Sequence, residues 1–398
     1  PLHNALVWQD TRTQDICDEI KQIEELSVEF IKTGLPIATY FSLSKILWLL
    51  RNVDEVNKAK LDNDLCFGTI DSWLLYKLTG NHVTDVTNAS RTLLMDLDTL
   101  NWIEDVINSL DIPLDSLPSI KPSMFNYGTN EGILKNVPIT AVLGDQQASL
   151  FGQNCIASGD VKNTYGTGCF ALTNTGSDIV HSNNGLLSTV AYQKDGDKPQ
   201  YAIEGSVSIA GAAVQWLRDN LNIIKESSDV EALAMAEKDN GDVYFVPAFS
   251  GLFSPHWDET ARGVLVGLSR FSNKSHIARA VLESVAYQSN ELLESMEKDI
   301  GITFESVNVD GGMVVNNLLM QFQSDIFNKK VISQEINEIT ALGAGAASFL
   351  FINNLPLENM NSFITQSKTW NPNMDSKQRE QYLNCLLYTS DAADDVEC

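Results

Sequence analysis

The stretch AVLGDQQASLFGQ (141–153), followed by NTYGTGCF (163–170), decides which fold and which chemistry are expected of this chain. The first run is apolar up to a carboxylate, Asp145, and the second places a glycine turn among residues typical of strands. Backbone N–H groups of a glycine loop can bind phosphate, and a facing acid can take the proton of an attacking hydroxyl. Together the two pieces predict phosphoryl transfer from a nucleotide. Each piece alone is most often a simple turn, so the prediction depends on the rest of the chain.

Composition places the chain among globular proteins that are too long for one hydrophobic core. It has 398 residues, 43% hydrophobic and 20% charged, so two domains are expected. The 52 acidic and 27 basic residues give a formal charge of −25, and we therefore expect no nucleic-acid partner. The longest apolar stretch, 339–352, is shorter than the roughly 20 residues that span a bilayer, so no membrane partner is expected either.

The cysteines form neither a C-x-x-C pair nor a cluster with histidine. This pattern favours reduced thiols in a cytoplasmic protein over a disulfide framework or a zinc site. The residues concerned are Cys17, Cys66, Cys155, Cys169, Cys385 and Cys398.

Both ends of the sequence suggest interruption. The chain opens at Pro1 inside a strand-like region, so we expect preceding sequence to be missing. At the other end CLLYTSDAADD (385–395) breaks off a helical pattern without a cap and resembles the translation of an adapter used in DNA library preparation. We therefore expect a native end near Asn384 and a non-native tail at 385–398, the alternative being a short disordered tail.

The hydrophobic periodicity changes along the chain from mainly helical to mainly β and back. Helices are expected at 15–33, 42–50, 71–79, 207–220 and 275–300, the last capped by Ser275. Strands are expected at 138–143, where a buried strand leads to Asp145, and at 161–165, 169–174, 187–193, 200–204, 243–249 and 307–310. The sequence therefore predicts an α/β protein of two domains that meet near 152–159, with the chemistry between them.

The glycine turn GTGCFA (166–171) also fits the dinucleotide fingerprint G-x-G-x-x-A. That fingerprint requires its glycines to open a helix, whereas hairpin-forming residues follow here. A hairpin tip that presents N–H groups suits a β- or γ-phosphate better than a pyrophosphate. The P-loop pattern G-x-x-x-x-G-K-[ST] does not occur in the sequence.

Two further glycine sites follow. In VDGGMVVNN (309–317) a strand leads into a helix, and Asn316 either caps that helix or reaches a base. In SIAGAAVQW (208–216) Gly211 falls in the middle of a helical pattern, where glycine costs about 1 kcal/mol relative to alanine. Close approach of a ligand or of another helix would explain it. All three glycine sites follow Asp145, which predicts one lobe that binds nucleotide.

From Pro1 to about Asn384 these motifs resemble the FGGY carbohydrate kinase family of the actin-like ATPase superfamily. Two strings match the family signatures: YFSLSKILWLLRN (40–52) and GVLVGLSRFSNKSHIARAVLES (263–284). Four resemble its glycerol-specific branch: DVTNASRTLLMDLDTLNW (85–102), GDQQASLFGQ (144–153), KNTYGTGCF (162–170) and PAFSGLFSPHWDETARG (247–263). The resemblance implies two ribonuclease H-like domains of the actin/hexokinase type, with the active site in the cleft between them. These would be the remainder of a glycerol-binding domain at 1–152 and a nucleotide-binding domain at 153–384.

The resemblance further implies ATP-dependent phosphorylation of glycerol to sn-glycerol 3-phosphate with Mg2+, and a homodimer or homotetramer in the cytoplasm. It assigns Asp145 the role of general base and places Gln146 beside it. The other glycerol-pocket positions match Trp8, Tyr40 and Phe170. Nucleotide contacts match Thr167 and Gly211 on the phosphate side, and Gln215, Gly312 and Asn316 on the adenosine side.

Departures from the family pattern leave alternatives open. The family's first phosphate loop and an Arg-Glu pair that binds glycerol would lie before Pro1, so we expect activity of the complete protein and not of these 398 residues alone. The loop NEGILKNVPIT (130–140) lacks the Gly-Gly-Thr-Arg with which some members bind fructose 1,6-bisphosphate, so that regulation is not expected. The alternatives are another FGGY kinase acting on a pentulose or tetritol, a non-catalytic fragment and, more distantly, an NAD-binding dehydrogenase.

Overall fold

The computed structural model describes residues 1–132, 134–258, 260–336, 338–364 and 367–384. The tail expected at 385–398 lies outside the described residues. The helices are α1 Gln14–Lys21, α2 Ser27–Ile31, α3 Ser42–Asn52, α4 Asp54–Leu61, α5 Ile70–Thr79, α6 Val86–Ala89, α7 Glu104–Ser109, α8 Asp145–Gly152, α9 Gly211–Asp219, α10 Asp229–Ala234, α11 Lys274–Ile300, α12 Asn317–Phe327 and α13 Ile339–Ile352. The strands are β1 Val83–Asp85, β2 Ser119–Lys121, β3 Met124–Thr129, β4 Pro138–Ala141, β5 Val161–Tyr165, β6 Cys169–Gly176, β7 Leu187–Tyr192, β8 Gln200–Val207, β9 Tyr244–Val246, β10 Val264–Val266, β11 Ser306–Asp310, β12 Lys330–Gln334 and β13 Ser367–Trp370.

The first part of the chain is mainly helical. Helical spacing places Leu43, Ile46 and Leu47 of α3 on one buried face. They pack with Ile16 of α1 and Val106 of α7 in a shared apolar core. Two small sheets complete this part: the parallel pair β1–β2 and the antiparallel pair β3–β4.

A seven-stranded mixed sheet with the order β13-β12-β11-β5-β6-β8-β7 organises the second part. Successive residues of a strand point to opposite faces, so Ala171 and Leu172 of β6 enter different cores. Helices α9, α11 and α12 cover the face of Ala171, and α8 and α13 cover the face of Leu172. The chain is therefore a layered α/β structure, as the sequence predicts.

The register of this sheet positions the candidate site. β5 runs antiparallel to β6 and parallel to β11. Thr164 of β5 is the register partner of Phe170 on one side and of Asp310 on the other. Phe170, expected to bind substrate, and the Gly311–Gly312 loop that follows Asp310, expected to bind nucleotide, are thus brought to the same end of the central strands.

The structure corrects two expected helix starts. The helix expected at 207–220 begins at Gly211, because β8 continues to Val207 in register with Cys169, so Gly211 opens the helix and does not lie in its middle. The long helix α11 is capped by Asn273, not by Ser275. The Asn273 side chain accepts hydrogen bonds from the N–H groups of Ser275 and His276, and His276 completes a capping box.

The segment that leads to Asp145 also differs from expectation. The strand expected at 138–143 ends at Ala141, and its residues are mostly half-buried or exposed, because β4 pairs with β3 outside the large sheet. Asp145 is the first residue of α8, a helix that the apolar run did not predict. An acidic residue in the first turn is favourable, because the helix dipole is positive at that end.

Candidate active site

The turn into α8 holds Asp145 in an open position. The Asp145 side chain is exposed, and its Oδ1 accepts the Gln146 N–H at 2.8 Å. The preceding Gly144 N–H donates to Thr87 Oγ1 at 2.8 Å, and that hydroxyl in turn donates to the buried Asp85 at 2.7 Å. Burial raises the pKa of Asp85 to about 6, and the nearby charge of Asp71 acts in the same direction. The DVT segment of the first part thus fixes the start of the helix that carries Asp145.

Three aromatic side chains that the sequence singled out form a wall beside this helix. The Trp8 ring lies 5.3 Å from that of Tyr40 and 6.4 Å, edge to face, from that of Phe170, centroid to centroid. Tyr40 and Phe170 are half-buried, whereas Trp8 is 45% exposed. Burial raises the pKa of Tyr40, and the nearby charge of Arg91 opposes this effect. The structure therefore brings Trp8, Tyr40 and Phe170 together, and the Lys162 ammonium joins the Phe170 carbonyl to Gln146, the neighbour of Asp145 in the chain.

A buried ion pair, which the sequence reasoning missed, supports this wall. Arg91 Nη2 lies 2.9 Å from Glu204 Oε1 of β8, and the Arg91 guanidinium carbon lies 5.7 Å from the centroid of the Tyr40 ring. Glu204 is almost completely buried. The available signal was Glu204 as the only charged residue of β8, but the sequence alone does not show which partner it meets.

A second missed residue is Lys162 of β5. Its side chain is fully buried, and its Nζ donates to Gln146 Oε1 at 2.5 Å, Thr164 Oγ1 at 2.9 Å and the Phe170 carbonyl at 3.2 Å. Burial lowers its pKa, against the opposite effect of the carboxylates of Asp310, Glu204 and Asp145. The available sequence signal was a lysine inside an expected strand, directly before the glycine-turn motif at 163–170.

The three glycine sites converge at one place. The turn Gly166–Gly168 joins the antiparallel strands β5 and β6, which confirms the hairpin and rules against a dinucleotide-binding turn. The Ala210 and Ala212 N–H groups donate to the Thr167 carbonyl at 2.8 and 3.1 Å, and the Gly211 N–H donates to the Gly166 carbonyl at 3.0 Å. A Cβ at Gly211 would lie 2.6 Å from the Gly166 oxygen. Gly211 thus allows α9 to approach the turn closely.

The third glycine site packs on the same hairpin. Gly311 has φ +95°, and a Cβ there would lie 2.7 Å from the carbonyl carbon of Tyr165 and closer still to its oxygen. A Cβ on the neighbouring Gly312 would meet open space. Met313 Sδ would lie 3.5 Å from a Cβ at Gly211, which links this loop to α9.

The remaining nucleotide-side residues differ in their surroundings. Thr167 at the hairpin tip and Gln215 on α9 are exposed. Asn316 is buried and caps α12, since its Oδ1 accepts the Leu319 N–H at 2.9 Å. Of the two roles open to Asn316 from the sequence, the structure shows capping.

Asp310 ties the two sides of the site together. This carboxylate ends β11, directly before the Gly311–Gly312 loop, and accepts hydrogen bonds from Ser149 Oγ at 2.6 Å and Gln153 Nε2 at 3.1 Å. Both donors lie at α8, whose first residue is Asp145. A shift of the nucleotide loop would therefore act directly on the helix that carries the candidate base.

No three histidine, cysteine or acidic side chains of the described residues come together as a possible metal cage. Among the described helices, none combines the length and the apolar composition that crossing a bilayer requires.

Comparison with known proteins agrees with this geometry. The model of the FGGY family of carbohydrate kinases matches residues 1–152 with its N-terminal domain and 161–349 with its C-terminal domain. A glycerol kinase of Brucella anthropi is 55% identical over 358 residues, which are 88% of this chain and 72% of the relative. A glycerol kinase of Chloroflexus aggregans is 52% identical over 390 residues, 96% of this chain and 78% of the relative.

Solved structures extend the comparison to the fold. The Plasmodium falciparum glycerol kinase with ADP superposes with a TM-score of 0.93 at 38% identity, covering 100% of this chain and 80% of that one. A ligand-bound xylulose kinase of Lactobacillus acidophilus superposes with a TM-score of 0.86 at 24% identity, covering 99% and 80%. The second similarity shows the fold alone.

Proposed function

The chain belongs to the FGGY family of carbohydrate kinases, and on that premise we propose that it transfers the γ-phosphoryl group of ATP to a terminal hydroxyl of glycerol. The products are sn-glycerol 3-phosphate and ADP. The observation that carries this proposal is the exposed Asp145 carboxylate at the start of α8, whose neighbour Gln146 is joined through Lys162 to Phe170 of the aromatic wall. The relatives at 49–55% identity are glycerol kinases, which favours glycerol over a pentulose or a tetritol.

Asp145 acts as the general base. Its Oδ1 accepts the Gln146 N–H, and we assign to Oδ2 the removal of the proton from the attacking hydroxyl. Its exposure supports this role, because a base has to reach substrate. Positioned proton transfer of this kind contributes about 10²- to 10⁴-fold to a rate. Closure of the two parts over the site would exclude water from the transfer.

The aromatic wall and Gln146 form the glycerol side of the site. Aromatic faces pack against the carbon atoms of a triol, and polar groups take its hydroxyls. Trp8 and Phe170 meet edge to face, which leaves the half-exposed Trp8 ring available to substrate. Once the two parts close over the substrate, a small site of this kind would reject longer sugars by steric exclusion.

The converging glycine loops form the nucleotide side. Thr167 and Gly211 lie on the phosphate side of the proposal, and Gln215, Gly312 and Asn316 lie on the adenosine side. Support comes from the exposed Thr167 and from the open space around Gly312. The Gly211 N–H is already bonded to the Gly166 carbonyl, so its expected contribution is close approach and not donation. Mg2+ would arrive with ATP as the ion of its phosphates, where it offsets the developing charge.

The assembly and location of the protein belong to the same proposal. We place the enzyme in the cytoplasm as a homodimer or homotetramer, in line with its resemblance to the family. Sedimentation equilibrium at several protein concentrations tests the oligomeric part. A monomer at micromolar concentration would contradict it.

The substrate assignment is tested by comparing acceptors. Protein expressed from its whole reading frame is incubated with MgATP and with glycerol, erythritol or xylulose, and ADP release is followed by a coupled assay. We expect kcat/KM for glycerol to exceed that for the other acceptors at least about 100-fold, because a pocket built for a triol rejects longer chains. Stereochemistry is read with a dehydrogenase specific for sn-glycerol 3-phosphate. Faster turnover of xylulose or erythritol, or none with glycerol, would overturn the proposal.

A further inference from the structure

Lys162 is a buried cation, and two of its three hydrogen bonds go to residues of the candidate substrate site. The side chain is 0% exposed. An ammonium has three N–H donors, and each has an acceptor here: Gln146 Oε1, Thr164 Oγ1 and the Phe170 carbonyl. Burying an ammonium is unfavourable unless its hydrogen bonds and charge are compensated. A leucine or methionine would fill the same interior space without this cost, so the charge calls for a reason other than packing.

Two of the acceptors belong to different elements of the candidate site. Gln146 lies on α8 next to Asp145, and Phe170 lies on β6 and contributes its ring to the aromatic wall. The third acceptor, Thr164, is the register partner of Phe170. Lys162 therefore joins, through one atom, the helix of the candidate base and the strand of the aromatic wall.

The contact also fixes which end of the Gln146 amide faces the pocket. The amide oxygen accepts from Lys162, so the Nε2 donors point the other way, with Nε2 3.5 Å from Asp145 Oδ2. With its oxygen held by a cation, the amide cannot flip without losing that charge-assisted bond. Gln146 then presents N–H donors to a substrate hydroxyl and to the base.

We propose that Lys162 is a positioning residue for glycerol phosphorylation: it sets the orientation of the Gln146 amide and the spacing between Gln146 and Phe170. This inference rests on the proposed function of the site. Lys162 touches neither substrate nor nucleotide in this account and acts through its neighbours. The competing reading is that the residue contributes only to folding.

A double-mutant cycle with Gln146 separates the two readings. Lys162→Met keeps the length of the side chain and removes the charge. We expect it to lower kcat/KM for glycerol at least about tenfold, with KM for ATP within about twofold of the wild-type value. In a Gln146→Ala background, adding Lys162→Met is expected to lower kcat/KM for glycerol by less than about threefold relative to Gln146→Ala alone. The loss is small because the amide that Lys162 orients is already absent. The proposal would be overturned if the losses of kcat/KM in the two single variants multiplied fully in the double variant. It would also be overturned if Lys162→Met impaired the use of glycerol and of ATP equally.

Lys329→Met is the matched control. Lys329 is also largely buried and pairs with Glu297 at 2.7 Å, but it lies outside the candidate site. This variant is expected to keep kcat/KM for glycerol within about twofold of the wild-type value. A loss in the control as large as that in Lys162→Met would mean that any buried lysine has the effect, and the proposal would fall.

Thr164→Val keeps the test decisive if Lys162→Met does not fold. It removes one acceptor of Lys162 with little change in shape, and Thr164 is not assigned to the glycerol pocket. We expect a loss of about three- to tenfold in kcat/KM for glycerol and no change in KM for ATP. Unchanged glycerol kinetics would contradict the inference.

Glycerol binding, measured by isothermal titration calorimetry, distinguishes failure of the inference from failure of the proposed function. Wild-type protein that binds glycerol without turning it over would overturn the function only. The inference then predicts at least about tenfold weaker glycerol binding by Lys162→Met, and equal binding would overturn it. Wild-type protein that does not bind glycerol would overturn both.

Discussion

Replacing Gly311 by alanine tests whether the nucleotide loop depends on a glycine backbone at this position. Gly311 has φ +95° and ψ +171°, a conformation essentially restricted to glycine that costs about 1–3 kcal/mol for other residues. The added Cβ would also lie 2.7 Å from the carbonyl carbon of Tyr165, against backbone that cannot rotate away. We therefore expect Gly311→Ala to reduce the free energy of unfolding by roughly 2–3 kcal/mol or to displace the loop.

The same substitution should weaken nucleotide binding. The loop starts after Asp310, which accepts hydrogen bonds from α8, so a displaced loop changes both the nucleotide side and the helix of the candidate base. We expect the Kd for ADP, measured by isothermal titration calorimetry, to rise at least about tenfold, equivalent to 1.4 kcal/mol. Urea unfolding of the same samples gives the stability change.

Gly312→Ala is the neighbouring control. A Cβ there meets open space in the protein, so stability should stay within about 0.5 kcal/mol of the wild-type value. If Gly312 faces adenosine as proposed, this variant should lose ADP affinity without losing stability. Equal stability of Gly311→Ala and Gly312→Ala would show that the loop does not depend on glycine at position 311.

Three further outcomes are expected from urea unfolding. Arg91→Met should reduce the unfolding free energy by about 3–5 kcal/mol, because it removes the ion-pair partner of the buried Glu204. Adding Glu204→Gln should restore part of the loss, whereas a loss below about 1 kcal/mol in Arg91→Met would contradict a buried pair. Burial raises the pKa of Glu283 to about 7 from 4.5, so the folded state binds this proton more tightly and stability should fall by about 3 kcal/mol as pH rises from 4.5 through 7. Glu283→Gln should flatten that part of the profile, and an unchanged profile would show that the carboxyl titrates normally. Asn273→Ala should reduce the unfolding free energy by about 1 kcal/mol and Ser275→Ala by less than half of that, because Asn273 caps α11. A larger loss in Ser275→Ala than in Asn273→Ala would identify Ser275 as the cap.

Much of the second part could be predicted from local patterns. Hairpin-forming residues around the GTG turn predicted the hairpin of β5 and β6, and a strand was also expected directly before Gly311–Gly312. Boundaries set by tertiary pairing were not accessible in this way. β8 runs on to Val207 because Cys169 pairs with it, and this moves the start of the next helix to Gly211.

The residues of the candidate site also fall into two groups: those that sequence motifs identify and those that only tertiary packing identifies. Asp145, the glycine turns and the aromatic positions were identifiable because they occur in motifs or match a family pattern. Lys162, Arg91 and Glu204 were not, because their importance arises from partners far away in sequence: Arg91 meets Glu204 through the packing of two separate parts of the chain. A single charge within a strand suggests a buried pair, but only the fold identifies the partner.

Asp145→Asn tests whether Asp145 is the base for phosphoryl transfer. The amide keeps the shape of the side chain and an oxygen to accept the Gln146 N–H, so the local structure should remain. The measurement is the steady-state rate with saturating glycerol and MgATP, together with the Kd for ADP. We expect turnover to fall by about 10²- to 10⁴-fold while ADP binding stays within about threefold of the wild-type value. Turnover within about tenfold of wild type, with ADP binding unchanged, would contradict the account.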